Sequence, residues 1–213
     1  MTRRSVLFSP GDQPDLLRKA PASGADVIVF DLEDAVAPAR KDDAREVVAS
    51  VLADIDAPDA EVVVRVNPGA AAETDLDAVL TGPLPDALML PKASSAPAVE
   101  RLAEQAAARA EALPVFAIAE TGAGVLHAEA IAAAGPTTAL VFGAEDLAAD
   151  VGATRTEEGR EVDHARQQVV LAAAAAGVDA LDTLVTDYEA DDHLRTDAAL
   201  SRQLGYDGKL AIH

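Results

Sequence analysis

Eight short, nearly continuous apolar runs recur along this chain, each separated from the next by a longer segment of helical period, and few folds accept that alternation. The runs are Ser5–Ser9, Val27–Asp31, Val62–Val66, Ala87–Leu90, Val115–Ala119, Leu140–Phe142, Ala180–Val185 and Lys209–His213. A strand that is apolar on successive residues is covered on both faces, which is the condition of a parallel sheet flanked by helices. The helical candidates between them are Gln13–Ala20, Asp42–Asp54, Asp75–Leu80, Ala96–Ala112, Gly124–Ala133, Val162–Ala176 and Asp191–Leu204. Gly24, Gly135, Gly177 and Gly205 follow Ala- or Leu-rich stretches, where a helix is expected to stop. Half of the 213 residues are hydrophobic but only 3% are aromatic, so the core is expected from Ala, Val, Leu and Ile. Eight strands with seven intervening helices predict one α/β domain over residues 1–213, a (β/α)8 TIM barrel ending at or just after its eighth strand. The chain is short against the usual length of about 250 residues. A doubly wound open sheet is the alternative, but Ser9-Pro10-Gly11-Asp12 is not the Gly-rich fingerprint of a dinucleotide fold.

Composition removes several functions. A formal net charge of −20 leaves no basic face for nucleic acid. The acidic residues are spread along the chain and Lys is scarce, a pattern that fits a solvated, halophilic surface in high salt. With no cysteine there is no disulfide, thiolate nucleophile or Cys-ligated zinc. No run approaches the roughly 20 apolar residues of a membrane span, and Met1-Thr-Arg-Arg leads directly into a strand candidate. A cytoplasmic protein without a membrane partner is expected.

In a barrel of this kind the active site lies at the C-terminal ends of the strands. The polar residues that follow the apolar runs are Ser9, Asp31-Leu-Glu33-Asp34, Arg65-Val-Asn67, Lys92, Glu120-Thr121, Glu145-Asp146, Asp182 and His213. Glu120 and Asp146 follow adjacent strands and are a credible pair of ligands for one hard cation, since Mg²⁺ takes one or two protein carboxylates and leaves other positions to water and substrate. The competing readings are a Glu120–Lys92 salt bridge, Asp146 as a helix cap before a turn at Leu147–Asp150, and Glu145 as the ligand instead. Arg65, before Asn67-Pro68, is placed to grip a carboxylate or steady an oxyanion, or else to pair inward with Asp31 or Glu33. Asp31 and Glu33 are expected to orient Arg65, Lys92 or metal-bound water from behind. His127, His164 and His193 fall in helix candidates and read as surface or core residues. Ser9 has no His and Asp arranged beside it, which argues against a serine hydrolase.

Read together, Ser5-Val-Leu-Phe-Ser-Pro-Gly11, Asp26-Val-Ile-Val-Phe-Asp-Leu-Glu-Asp-Ala-Val36, Val64-Arg-Val-Asn-Pro68, Leu90-Pro-Lys92, Ala119-Glu-Thr121, Phe142-Gly-Ala-Glu-Asp-Leu147 and Gly208-Lys-Leu-Ala-Ile-His213 resemble, in order, the motifs of the citrate lyase β-subunit group. That group lies in the HpcH/HpaI aldolase superfamily with malyl-CoA and citramalyl-CoA lyases. The resemblance implies a Mg²⁺-dependent carbon–carbon lyase acting on a 3-hydroxyacyl-CoA, with Glu120 and Asp146 as metal ligands and Arg65, Glu120 and Lys92 at the substrate. It also implies a homo-oligomer, a trimer or hexamer. A thioesterase acting on the same thioester and a lyase subunit acting on a citryl carrier protein are the alternatives. Members of the group commonly continue past the position of His213 with a helical segment that supplies a catalytic Asp to a neighbouring subunit. This sequence stops at the strand, and Asp34 is the candidate proton-transfer residue within it. Free-acid aldolases of the superfamily carry a His base in this loop, and its absence favours the thioester branch. Arg3, Arg18 and Lys41 are candidates for CoA phosphates, set against ordinary surface pairing.

Overall fold

Eight parallel strands close on themselves in chain order: β1 (Ser5–Pro10), β2 (Val27–Asp31), β3 (Glu61–Arg65), β4 (Ala87–Leu90), β5 (Val115–Ala119), β6 (Thr137–Phe142), β7 (Asp179–Asp182) and β8 (Gly208–Ala211). The last strand pairs back onto the first, Ser5 against Lys209 and Leu7 against Ala211, so the sheet is the expected (β/α)8 barrel and not an open sheet. The computed structural model describes residues 2–213 apart from residue 157.

Around the barrel run α1 (Pro14–Lys19), α2 (Lys41–Asp54), α3 (Ala71–Val79), α4 (Ala96–Ala107), α5 (Gly122–Leu126), α6 (Ala128–Ala132), α7 (Ala144–Val151), α8 (Asp163–Ala176) and α9 (Asp191–Leu204). Two departures from the sequence reading concern the site end of the barrel. The helix expected over Gly124–Ala133 is broken at His127, whose backbone leaves the helical region (φ −103, ψ 11) and whose Nδ1 lies 2.8 Å from the Ser94 carbonyl. The turn expected at Leu147–Asp150 is instead part of α7, which starts at Ala144 and carries Glu145 and Asp146 in its first turn. Acidic side chains there meet the positive end of the helix dipole. No helix among the described residues is long and apolar enough to cross a membrane.

The strands are apolar on successive residues because each alternate residue serves a different core. Val27, Val29, Val63, Met89, Phe116, Ile118, Val141 and Leu181 fill the barrel interior. Ile28, Phe30, Val62, Val64, Leu88, Ala117, Leu140 and Ala180 pack outward against the helices. Successive side chains on a strand point to opposite faces, so this assignment fixes which strand-end residues face the barrel axis. At the opposite end, Arg3 acts as a floor. Its Nε donates to Glu61 Oε2 (2.7 Å) and its Nη1 to Asp179 Oδ2 (3.0 Å) and the Thr138 carbonyl (3.1 Å), with the guanidinium 4.4 Å over the Phe116 ring.

Candidate active site

The inward series does not stop where the apolar residues do. On β2 it runs Val27, Val29, Asp31; on β3, Val63, Arg65; on β5, Phe116, Ile118, Glu120. The alternation that fills the barrel with aliphatic side chains therefore ends, at or just past the end of three strands, in a charged group at the C-terminal mouth of the barrel. Arg65 is gripped from two sides. Its Nε and Nη2 donate to the two oxygens of Asp31 at 2.7 and 2.5 Å, and its Nη1 lies 3.0 Å from Glu33 Oε2. The guanidinium stands 5.0 Å over the Phe8 ring. Burial works against the Arg65 charge, but the hydrogen bonds and charge of Asp31, with the charge of Glu33, outweigh it and raise its pKa. Each Nη keeps a second N–H, and Arg65 lines the cavity described below. Asp31 is further tied down by the backbone amides of Glu33 (2.8 Å) and Ala35 (3.0 Å).

Glu120 is buried, and its Oε1 accepts the backbone amide of Lys92 at 2.7 Å. The contact is made by the main chain, where an ammonium–carboxylate pair was one expectation. Lys92 reaches it with φ 51, the left-handed region that side chains disfavour and that recurs where a site holds strain. Its ammonium turns to Glu33 Oε1 at 2.5 Å and lies 3.5 Å from Asp146 Oδ2 and 3.8 Å from Asp34 Oδ2. Burial pushes the Glu120 carboxyl up to about 7, and the negative charges of Asp146 and Glu33 add to the rise against the opposing Lys92 amide and Arg65. Burial likewise raises Glu33. The site thus holds a surplus of carboxylates around one buried group that resists ionising.

Asp31, Asp34, Arg65, Glu120, Glu145 and Asp146 line one cavity of about 220 Å³, with Phe8, Ile118, Leu184, Leu210 and Ile212 as its apolar wall. Lys92 and Glu33 stand behind that lining. Asp34 is exposed at the rim, and Glu145 is drawn sideways to Arg155 Nε at 2.9 Å. Among the described residues, no group of three or more His, Asp or Glu side chains forms a ready-made metal cage.

Other strand-end residues have structural work. Asp182 continues the outward series of β7, so it faces the helices, where Arg166 of α8 and Ser201 of α9 bond it in full burial. Asn67 donates from its backbone and its Nδ2 to Asp75 Oδ2 at 2.6 and 2.9 Å, and Arg45 holds the other oxygen of Asp75. Thr121 caps α5 by accepting the Gly124 amide. His213 lies beyond β8 and stacks on Tyr188, ring centres 5.2 Å apart. Arg3 sits at the far end of the barrel, and the Lys41 ammonium donates to the carbonyls of Leu32 and Glu33. Sequence reasoning passed over Thr183, which continues the inward series of β7 two residues after Leu181. Only the strand's parity could have signalled it.

Against known proteins, the HpcH/HpaI aldolase/citrate lyase family model matches residues 4–213. A citrate lyase subunit beta-like protein of Deinococcus radiodurans is 40% identical, over 99% of this chain and 75% of the relative. A mitochondrial citramalyl-CoA lyase of Rattus norvegicus is 32% identical, over 99% of this chain and 68% of the relative. The crystal structure of the protein CitE from Mycobacterium tuberculosis, in complex with magnesium, acetoacetate and coenzyme A, superposes with a TM-score of 0.87 at 37% identity, covering all of this chain and 77% of that one. With a matching barrel, a family model spanning nearly every residue and a relative 40% identical over 99% of the chain, the chain belongs to the HpcH/HpaI aldolase/citrate lyase family.

Proposed function

We propose that this chain is a Mg²⁺-dependent carbon–carbon lyase that splits a 3-hydroxyacyl-CoA of the malyl-CoA or citramalyl-CoA type into acetyl-CoA and a 2-oxo acid, or joins them in reverse. The observation that carries the reading is Glu120: a buried carboxyl pushed up to about 7, in one cavity with Asp146 and beside a fixed Arg65. Such a carboxyl gains most from a cation, and two carboxylates with room for water and substrate oxygens are a donor set that suits magnesium. Glu120 and Asp146 would hold the ion, with Glu145 committed to Arg155. A bound magnesium ion supplies Lewis-acid polarisation of the substrate's hydroxyl and carboxylate oxygens.

The chain's own groups supply the rest. Asp34, exposed at the rim, takes the hydroxyl proton. The Cα–Cβ bond then breaks as the hydroxyl carbon becomes the carbonyl of the 2-oxo acid, and the electron pair moves into the thioester enolate. The free N–H groups of Arg65 stand against that developing negative charge, held in place by Asp31, Glu33 and Phe8, so that little reorganisation is needed during the reaction. Return of that proton to the enolate carbon completes acetyl-CoA and leaves Asp34 as it began. The citramalyl-CoA lyase and the CoA-bound CitE among the relatives support the thioester class.

The test is product analysis by mass spectrometry after incubation with malyl-CoA and with citramalyl-CoA, in high salt, with Mg²⁺ or with a chelator. Metal-dependent acetyl-CoA with glyoxylate or pyruvate is the expected result. Free CoA with intact malate or citramalate would move the chain to the thioesterases. Turnover that survives chelation would overturn the assignment of Glu120 and Asp146.

A further inference from the structure

We infer that Thr183 is a positioning residue for Asp146, supplying from β7 the helix cap that α7 cannot carry on its own chain; this rests on the reading of Asp146 as a metal ligand. Helices ordinarily start on Ser, Thr, Asp or Asn, whose side chain satisfies one of the first free amides. Here the cap position is Gly143, with no side chain to offer. Glycine is required by its neighbour. A Cβ at position 143 would lie 2.6 Å from Glu120 Cβ and 2.7 Å from Glu120 Oε2. The two residues that the proposed cation would bridge, Glu120 and Asp146, are brought together by a helix start pressed against Glu120, and that approach removes the usual cap.

Thr183 replaces it from the end of the neighbouring strand, β7. Its Oγ1 accepts the amide of Ala144, the first residue of α7, at 3.2 Å in a buried contact. Thr183 is itself held, since its carbonyl accepts the Lys209 ammonium at 2.5 Å. That ammonium pairs in turn with Asp197 and lies 3.4 Å from Asp182, which Arg166 and Ser201 secure. The buried ion network outside the barrel thus fixes the end of β7. The inward turn of the next residue passes that order to the helix start. Asp146 lies two residues beyond Ala144 in the same turn, so its carboxylate moves with the capped amide.

The test compares Thr183→Val, which keeps the volume and loses the hydroxyl, with Thr183→Ser, which keeps the hydroxyl and loses the methyl. Magnesium binding to the metal-free protein is followed by calorimetry, with melting temperature as the measure of folding and Asp146→Asn alongside. Thr183→Val is expected to weaken magnesium binding about tenfold, the lower end of what loss of a ligand-orienting partner costs, with Thr183→Ser within about twofold of the parent. If Thr183→Val does not fold, the same contrast is read between Thr183→Ser and Thr183→Ala. The reverse order, with Ser impaired and Val intact, or parent-like binding in Val while Asp146→Asn loses the ion, would overturn the positioning role. An Asp146→Asn variant that binds magnesium normally would instead refute the metal reading on which it rests.

Discussion

Replacing Glu120 by Gln removes a charge that the fold disfavours, and the size of the effect follows from where that carboxyl sits. In the fold it titrates at about 7 against 4.5 for a free glutamate, because burial and then the charges of Asp146 and Glu33 disfavour the anion. A carboxyl raised on folding holds its proton more tightly in the native state. Its contribution to stability is complete below pH 4.5 and is lost as the pH climbs to about 7. The lift corresponds to about 3 kcal/mol by pH 8 and under ~1 kcal/mol at pH 5. Glutamine keeps an oxygen for the Lys92 amide and does not titrate. Without metal, Glu120→Gln should therefore gain on the parent as pH rises, by roughly 5–10 °C in melting temperature between pH 5 and pH 8 for a chain of this size. The assay is thermal melting of both metal-free proteins at fixed salt in half-unit steps. Magnesium at pH 8 should then raise the melting temperature of the parent and leave the variant where it was. Parallel melting curves across the range would refute the argument, since they would mean that the carboxyl ionises without penalty.

Four further outcomes follow from the same geometry. Arg65→Lys keeps the charge but cannot bond both oxygens of Asp31 and reach Glu33; it should cost about 2 kcal/mol in urea melts and about 100-fold in kcat/KM. Gly143→Ala drives a methyl into Glu120, so calorimetry should show magnesium binding at least tenfold weaker with a loss of about 1–3 kcal/mol in stability. Lys92 occupies φ 51, so Lys92→Gly should melt higher than Lys92→Ala, by about 1 kcal/mol, because only glycine is free of the left-handed penalty. Arg3→Met strands Glu61 and Asp179 at the barrel floor; it should cost about 3 kcal/mol in denaturant melts while kcat below the transition stays unchanged.

The barrel was legible because its signal is local. Eight apolar runs and the helical periods between them survive in one dimension, and parallel strands covered on both faces write themselves as unbroken Val, Ile, Leu and Ala. The charged residues closing those runs were legible for the same reason, as with Asp31, Arg65 and Glu120. Some of their partners were legible too, since Asp31 and Glu33 are expected at Arg65 and Lys92 and stand there; others were not. Asp182 looks in sequence like one more strand-end carboxylate, yet it faces the helices, while Thr183 beside it faces the axis. An unbroken apolar strand conceals its parity, which shows only when the sheet closes and decides which alternate residues are inside. The competing reading of Glu120 as a partner for the Lys92 side chain also fails, because the fold joins it to the Lys92 main chain through a left-handed residue that side-chain chemistry does not advertise. Only the approach of Glu120, at the end of β5, to the start of α7 makes Gly143 indispensable. Period and composition are properties of neighbours along the chain and can be read there. Facing, close approach and the pKa of a buried carboxyl depend on groups dozens of residues away, and exist only once the barrel has closed around them.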